Sequence, residues 1–80
     1  MTDKEILEQV QVFFESEYTD LLRLMDRKPS WFNLKECVTH ATHRCLGVAQ
    51  FVQLLGVKYE DLNCYEEIRT RLQGLLQKGE

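Results

Sequence analysis

The polar residues best suited to chemistry in this sequence are Glu36, His40 and His43, which follow one another at spacings of four and three. On an α-helix these spacings place the three side chains within an arc of about 60°. Two imidazoles and a carboxylate are good ligands for zinc or a similar ion, which makes the trio a weak candidate for a metal site. A metal site needs three or four converging ligands, and no second segment offers a clear fourth. The alternative is a solvated polar face on which Glu36 and His40 pair across one turn.

A catalytic role has less support, although Cys37 and His40 are also neighbours on one helix. No third residue is evident that would orient the imidazole, as the activation of a nucleophile normally requires. Three short helices rarely enclose a pocket of the size that a substrate needs. We therefore expect neither an enzyme nor a bound cofactor.

The composition is that of a small folded protein. The chain has 80 residues, of which 44% are hydrophobic and 29% charged, so we expect a single helical domain over residues 1–80 with a small core. Charged or amide residues interrupt every hydrophobic stretch, which argues against a membrane-spanning segment. The first residues do not resemble a secretory signal. The three cysteines lack a CxxC spacing, which argues against a disulfide framework. These features favour a cytoplasmic location.

The chain that holds these candidate residues consists of three amphipathic segments. Hydrophobic periodicity predicts helices at about residues 3–26, 33–55 and 60–77. Short connections between them predict an all-α fold, an antiparallel three-helix bundle. Glu17 interrupts the apolar side of the first helix, where its carboxylate either reaches solvent or pairs with a basic residue of another helix.

Capping patterns define the predicted helix ends. A hydroxyl or amide followed three residues later by a glutamate is typical of a helix start, and it occurs at Thr2, Asn33 and Asn63. Gly56 can adopt the left-handed conformation that ends the second helix, with the apolar Val57 folding back onto the last turn.

The middle helix is the only one that is apolar on two sides. One stripe has the spacing of a core-facing helix and consists of Leu34, Val38, Ala41, Cys45, Val48, Val52 and Leu55. The opposite row begins polar and ends apolar: Glu36, His40, His43, Gly47, Phe51 and Leu54. A glycine inside a helix costs about 1 kcal/mol relative to alanine, which indicates that something packs against Gly47. That neighbour is either the last helix or, if both other helices pack on the main stripe, another protein molecule.

Two aromatic residues, Trp31 and Phe32, are predicted in the short connection before the middle helix. They either cover the end of the core or anchor a partner, since exposed aromatic residues dominate many interfaces. A symmetric dimer would also enlarge the core of so small a domain. We therefore predict a protein–protein interaction or adaptor module whose partner is a second copy of the chain. The predicted interface residues are Trp31, Phe32, Gly47, Phe51 and Leu54.

Two alternatives from other classes remain open at this stage: a metal-binding helical protein and a small nucleic-acid-binding regulator. The segment from Ala49 to Leu62 has the apolar spacing and the glycine turn of a helix-turn-helix. The helix that would approach DNA, however, begins with the acids Glu60 and Asp61 and continues with Glu66 and Glu67, and the whole chain has a net charge of -3. Electrostatic repulsion therefore argues against nucleic-acid binding.

Overall fold

Three α-helices follow one another along the chain, and the computed structural model describes them over residues 2–58, 60 and 62–79, without the side chains of residues 78 and 79. They are α1 (Asp3–Asp26), α2 (Trp31–Leu54) and α3 (Asn63–Gly79). Each helix packs against the other two, and the bundle measures 41 × 16 × 15 Å. The predicted antiparallel three-helix bundle is confirmed. None of the described helices combines the length and the apolar character that crossing a membrane requires.

The first helix begins as its sequence predicts. The Thr2 hydroxyl accepts a hydrogen bond from the Glu5 backbone N–H at 3.2 Å, and the Glu5 carboxylate accepts one from the Thr2 backbone N–H at 3.4 Å. This reciprocal pair satisfies two N–H groups that have no partner inside the helix.

The second helix begins earlier than predicted, and the predicted start at Asn33 is wrong. Ser30 is the N-cap, and its hydroxyl accepts a hydrogen bond from the backbone N–H of Asn33 at 3.2 Å. Serine caps a helix about as well as asparagine, so the earlier cap adds two residues to the first turn. As a result Trp31 and Phe32 belong to α2 rather than to the connection before it.

The turn after α2 confirms the role of Gly56, which has a φ of +105°. The N–H of Gly56 donates to the Gln53 carbonyl at 3.0 Å, and the N–H of Val57 donates to the Val52 carbonyl at 3.1 Å. Val57 folds back and is buried in the core. The third helix begins at Asn63 rather than near residue 60; the predicted helix residues 59 and 61 lie outside the described residues.

The core lies along one side of each helix. Its members are Val10, Phe14 and Leu21 from α1, Leu34, Val38, Ala41, Cys45, Ala49 and Val52 from α2, Val57 and Leu62 from the connection, and Tyr65, Ile68, Leu72 and Leu75 from α3. Two positions of the predicted α2 stripe differ, because Val48 is only half-buried and Leu55 is exposed. Leu55 is the C-cap, and the core position at this end is filled by Val57 beyond the turn.

The two glycines Gly56 and Gly74 should respond oppositely to a methyl group. Gly56→Ala is expected to lower the free energy of unfolding by about 1 kcal/mol or more, because its positive φ disfavours a side chain. Gly74→Ala is the control: Gly74 is helical, an added Cβ meets no atom within 4 Å, and helix propensity should raise stability by about 0.5–1 kcal/mol. Urea denaturation of both variants measures the difference, and an unchanged midpoint for Gly56→Ala would contradict the left-handed turn.

Candidate functional site

The solvent side of α2 carries the candidate site. Both α1 and α3 pack on the side of α2 that holds its six buried residues, which leaves the opposite side uncovered. Seven exposed residues follow that uncovered side at spacings of four, four, three, four, four and three, and at about 100° per residue they fall within an arc of about 100°. We call them the outer row: Phe32, Glu36, His40, His43, Gly47, Phe51 and Leu54.

The ends of the outer row are apolar and exposed. Phe32 near the start of α2 is 64% exposed, and Phe51 and Leu54 near its end are 61% and 86% exposed. Leu46 and Leu55, toward the end of α2, are also exposed. These values answer the question that the sequence left open, because no other helix of the same chain covers Phe51 or Leu54.

Gly47 lies on the outer row in open space. A Cβ added at this position would meet no atom within 4 Å, so α3 does not approach it. Trp31 lies away from the row, on the flank of α2 where the Lys35 ammonium stands 5.2 Å from the centroid of its ring. Of the five predicted interface residues, Phe32, Gly47, Phe51 and Leu54 therefore share one face, and Trp31 does not belong to it.

The middle of the outer row is polar. His40 and His43 are exposed, and within the part of the chain that the structure describes neither imidazole forms a hydrogen bond or an ion pair. The weak metal candidates Glu36, His40 and His43 lie on one face as predicted. Among the described residues, however, no group of three or more His, Cys, Asp or Glu side chains converges closely enough to hold a metal ion.

An open groove of about 320 Å³ runs beside the outer row, between α1 and α2. Its lining residues are Glu17, Asp20, Leu21, Leu24, Glu36, Cys37, His40 and Arg44. Cys37 and His40 therefore face the same space. The dominant polar feature of the groove is an ion pair rather than a catalytic pair.

That ion pair joins Arg44 to Glu17. Arg44 donates from Nε at 2.9 Å and from Nη2 at 2.7 Å to the two carboxylate oxygens of Glu17, whose side chain is only 13% exposed. The hydrogen bonds to Glu17 raise the pKa of Arg44. Of the two alternatives for Glu17, the structure shows the pairing with another helix. Arg44 was not identified from the sequence, although antiparallel packing of α1 on α2 brings its position opposite Glu17.

A second ion pair ties α1 to α3. Arg71 donates to both carboxylate oxygens of Glu15 and stands over the ring of Tyr18 at 4.1 Å from its centroid. The hydrogen bond from Arg71 lowers the pKa of Glu15. The pair therefore stabilises the fold above the ordinary glutamate pKa and ceases to do so as the pH falls through the lowered pKa.

The surface of α3 gives little support to nucleic-acid binding. Arg71 is held by Glu15, and the Arg69 guanidinium lies 3.9 Å from the Glu66 carboxylate. Glu66 and Glu67 are exposed near the start of the helix, where the approach to DNA would have to occur. The helix-turn-helix interpretation remains a prediction, and its residues Tyr59 and Asp61 lie outside the described residues.

The three cysteines are free thiols, and Cys45 is the most shielded of them. Burial raises the pKa of Cys45 to about 11, so little thiolate exists at neutral pH. Burial also raises the pKa of Cys64, which is only half-buried.

Comparison of the chain with models of protein families, with curated proteins and with solved structures gives no significant match. The functional argument therefore depends on the surfaces of the molecule itself.

Breaking the Glu17–Arg44 pair should destabilise the bundle. Arg44→Gln is expected to lower the free energy of unfolding by about 1–3 kcal/mol, because it leaves a largely shielded carboxylate without its partner. The control is Arg23→Gln, whose ion pair with Asp20 is 4.0 Å long and fully at the surface, and whose loss should cost less than about 1 kcal/mol. Chemical denaturation measures the free energy of unfolding of both variants. Equal losses would mean that the Glu17–Arg44 pair stabilises the bundle no more than the surface pair of Arg23 and Asp20.

Thiol labelling should separate Cys45 from Cys37 and Cys64. We expect iodoacetamide at mildly alkaline pH to modify the two half-buried thiols in the native protein and to modify Cys45 only after denaturant is added, since Cys45 is buried and its pKa is about 11. Mass spectrometry of peptides reports each site. Labelling of Cys45 at the rate of Cys37 would contradict the packing of α2 against its neighbours.

Proposed function

We propose that this chain is a helical protein–protein interaction module that forms a symmetric homodimer through the outer row of α2. The observation that carries the proposal is the exposure of Phe32, Phe51 and Leu54 on one uncovered helix face. Phe51 and Leu54 adjoin each other near the end of α2, and Phe32 lies on the same face beyond the polar middle of the row. Clustered exposed apolar side chains on a small protein are typical of a contact with another protein. We further propose that the module acts in the cytoplasm, where its three free cysteines would stay reduced.

Gly47 is compatible with the proposal, because it leaves the middle of the outer row without a side chain. A glycine inside a helix costs about 1 kcal/mol relative to alanine. The space around Gly47 is open, so no neighbouring helix of the same chain requires the missing side chain. A second molecule has room to approach the outer row closely at this position.

The spacing of the outer row favours a second copy as the partner. From Phe32 to Phe51 the steps are four, four, three, four and four, and this order is the same in both directions. The α2 helix of a second copy can therefore lie antiparallel to the first so that the two outer rows face each other. The two-fold axis then lies midway between His40 and His43. Phe51 of one copy then lies opposite Phe32 of the other, and Glu36 lies opposite Gly47. Such self-complementarity is what a two-fold interface needs.

A parallel pairing of the two copies is less favourable. It would place each Glu36 against the same residue of the other copy, and facing like charges repel. In the antiparallel arrangement the carboxylate of Glu36 meets the open space at Gly47. In an antiparallel pair the two helix dipoles also point in opposite directions, which is electrostatically favourable.

The available area predicts a weak to moderate dimer. A phenylalanine side chain presents about 150–250 Å², so Phe32 and Phe51, each roughly three fifths exposed, together offer roughly 200–300 Å² of apolar surface per copy. Leu54 enlarges this surface. Before Leu54 is added, the two copies together offer about 400–600 Å² of apolar surface, which is below the roughly 1,200 Å² at which stable protein interfaces begin and predicts a weak association that depends on concentration.

A charge at Phe51 should disrupt the dimer. Phe51→Glu is expected to raise the dissociation constant of the dimer at least about tenfold, equivalent to about 1.4 kcal/mol, because each interface would bury two carboxylates. The control is Val12→Glu: Val12 is 63% exposed against 61% for Phe51, but it lies on the far side of α1. Sedimentation equilibrium at several concentrations measures both. A wild-type chain that stays monomeric at all concentrations would contradict the proposal.

A second substitution tests the antiparallel register. Phe32→Lys added to Phe51→Glu places a lysine opposite each glutamate only if the two helices run antiparallel as proposed. The double variant should then dimerise more tightly than Phe51→Glu alone. Further weakening by the second charge would contradict this register, because a parallel pair would bring lysine to lysine and glutamate to glutamate.

A further inference from the structure

The middle of the outer row contains two histidines, and an apolar contact at the ends of the row gives no reason for them. His40 and His43 are three residues apart on one helix face, so their side chains are close enough to bind the same ion. Both are exposed, and in the described part of the chain nothing engages either ring. A single chain nevertheless supplies too few converging ligands, since its described residues contain no group of three or more.

We propose that two copies of the chain together form a site for a divalent transition metal such as zinc, with His40 and His43 of each copy as its four ligands. The inference rests on the proposed function, because the antiparallel dimer brings the second pair of imidazoles to the first. The two-fold axis lies midway between His40 and His43, so each His40 faces His43 of the other copy. Helix axes that pack 8–10 Å apart keep facing side chains within reach of one another.

Four neutral imidazoles suit this class of ion. Zinc prefers four ligands in a tetrahedral arrangement, and histidine nitrogen is among its common donors. Glu36 is one turn before His40 on the same face and can accept a hydrogen bond from the ring N–H that does not bind the metal. Arg44, the nearest cation along α2, is neutralised by its pair with Glu17 and therefore repels the ion less.

Metal binding should couple to dimerisation, because only the dimer has the complete site. Zinc is expected to lower the dissociation constant of the dimer at least about tenfold, and titration calorimetry should give one zinc for every two chains. Cobalt in place of zinc should produce the strong visible absorption of tetrahedral coordination.

The experiment is sedimentation of untagged protein at several concentrations, in zinc chloride and in EDTA. Four chains are compared: the wild type, His40→Ala, His43→Ala and Gln50→Ala. Gln50 is an exposed residue of the same side of α2 that is not a proposed ligand, so Gln50→Ala should keep the full response to zinc. Each histidine variant should lose the tightening by zinc relative to its own dissociation constant in EDTA, while circular dichroism should show an unchanged helix content.

The failures of the two proposals are distinguishable. A dimer that forms in EDTA and does not tighten with zinc overturns the metal site and leaves the interaction module intact. One zinc per chain without dimerisation, or a full zinc response in both histidine variants, also overturns it. A chain that stays monomeric in both buffers contradicts the proposed function and the metal site together.

Discussion

The packing of α1 and α3 on the same side of α2 is the constraint on which the rest of this molecule depends. Three short helices can share only one apolar seam, and here the seam is lined by residues such as Val38, Ala41 and Cys45 of α2, all almost fully buried. Small and medium side chains at these positions let both neighbours approach closely. The consequence is that neither α1 nor α3, as far as the structure describes them, covers the opposite side of α2. Apolar residues at that side, such as Phe51 and Leu54, are therefore exposed rather than packed among the described residues.

Polar interactions fix how the helices are arranged around that seam. The bidentate pair of Arg44 and Glu17 links α2 to α1, and the pair of Arg71 and Glu15 links α3 to α1. Each of them is specific to one register of the helices, because a shift by one turn would separate the charges. Hydrophobic burial alone is less selective about register. The ion pairs therefore help to determine which residues of α2 remain on the solvent side.

In the proposed dimer, the outer row combines three kinds of residue that suit an interface between copies. Its apolar ends provide area, and its glycine provides room for a close approach. In the proposed metal site, its central histidines bind the ion only when two molecules are present. In the dimer proposed above, these features belong to one surface and one symmetry axis, so a change in metal availability would alter the strength of association.

The amino-acid sequence by itself determined the local structure. Hydrophobic periodicity is a property of neighbouring residues along one helix, so the three helices, the cap at Thr2, the turn at Gly56 and most of the core could be predicted. The start of α2 could not, because Ser30 and Asn33 are both good caps and the local sequence does not rank them. The sequence consequently predicts Phe32 in a connection, although it continues the row one turn before Glu36.

Only the tertiary structure decided which side of α2 is covered. Both sides of that helix carry apolar residues, and a pattern within one helix does not say where the other two will pack. The same limit hid the partner of Glu17, because Arg44 is 27 positions away and meets it only through the packing of two helices. Contacts between distant segments depend on the relative positions of whole helices, and these positions are set by the fit of their side chains in three dimensions.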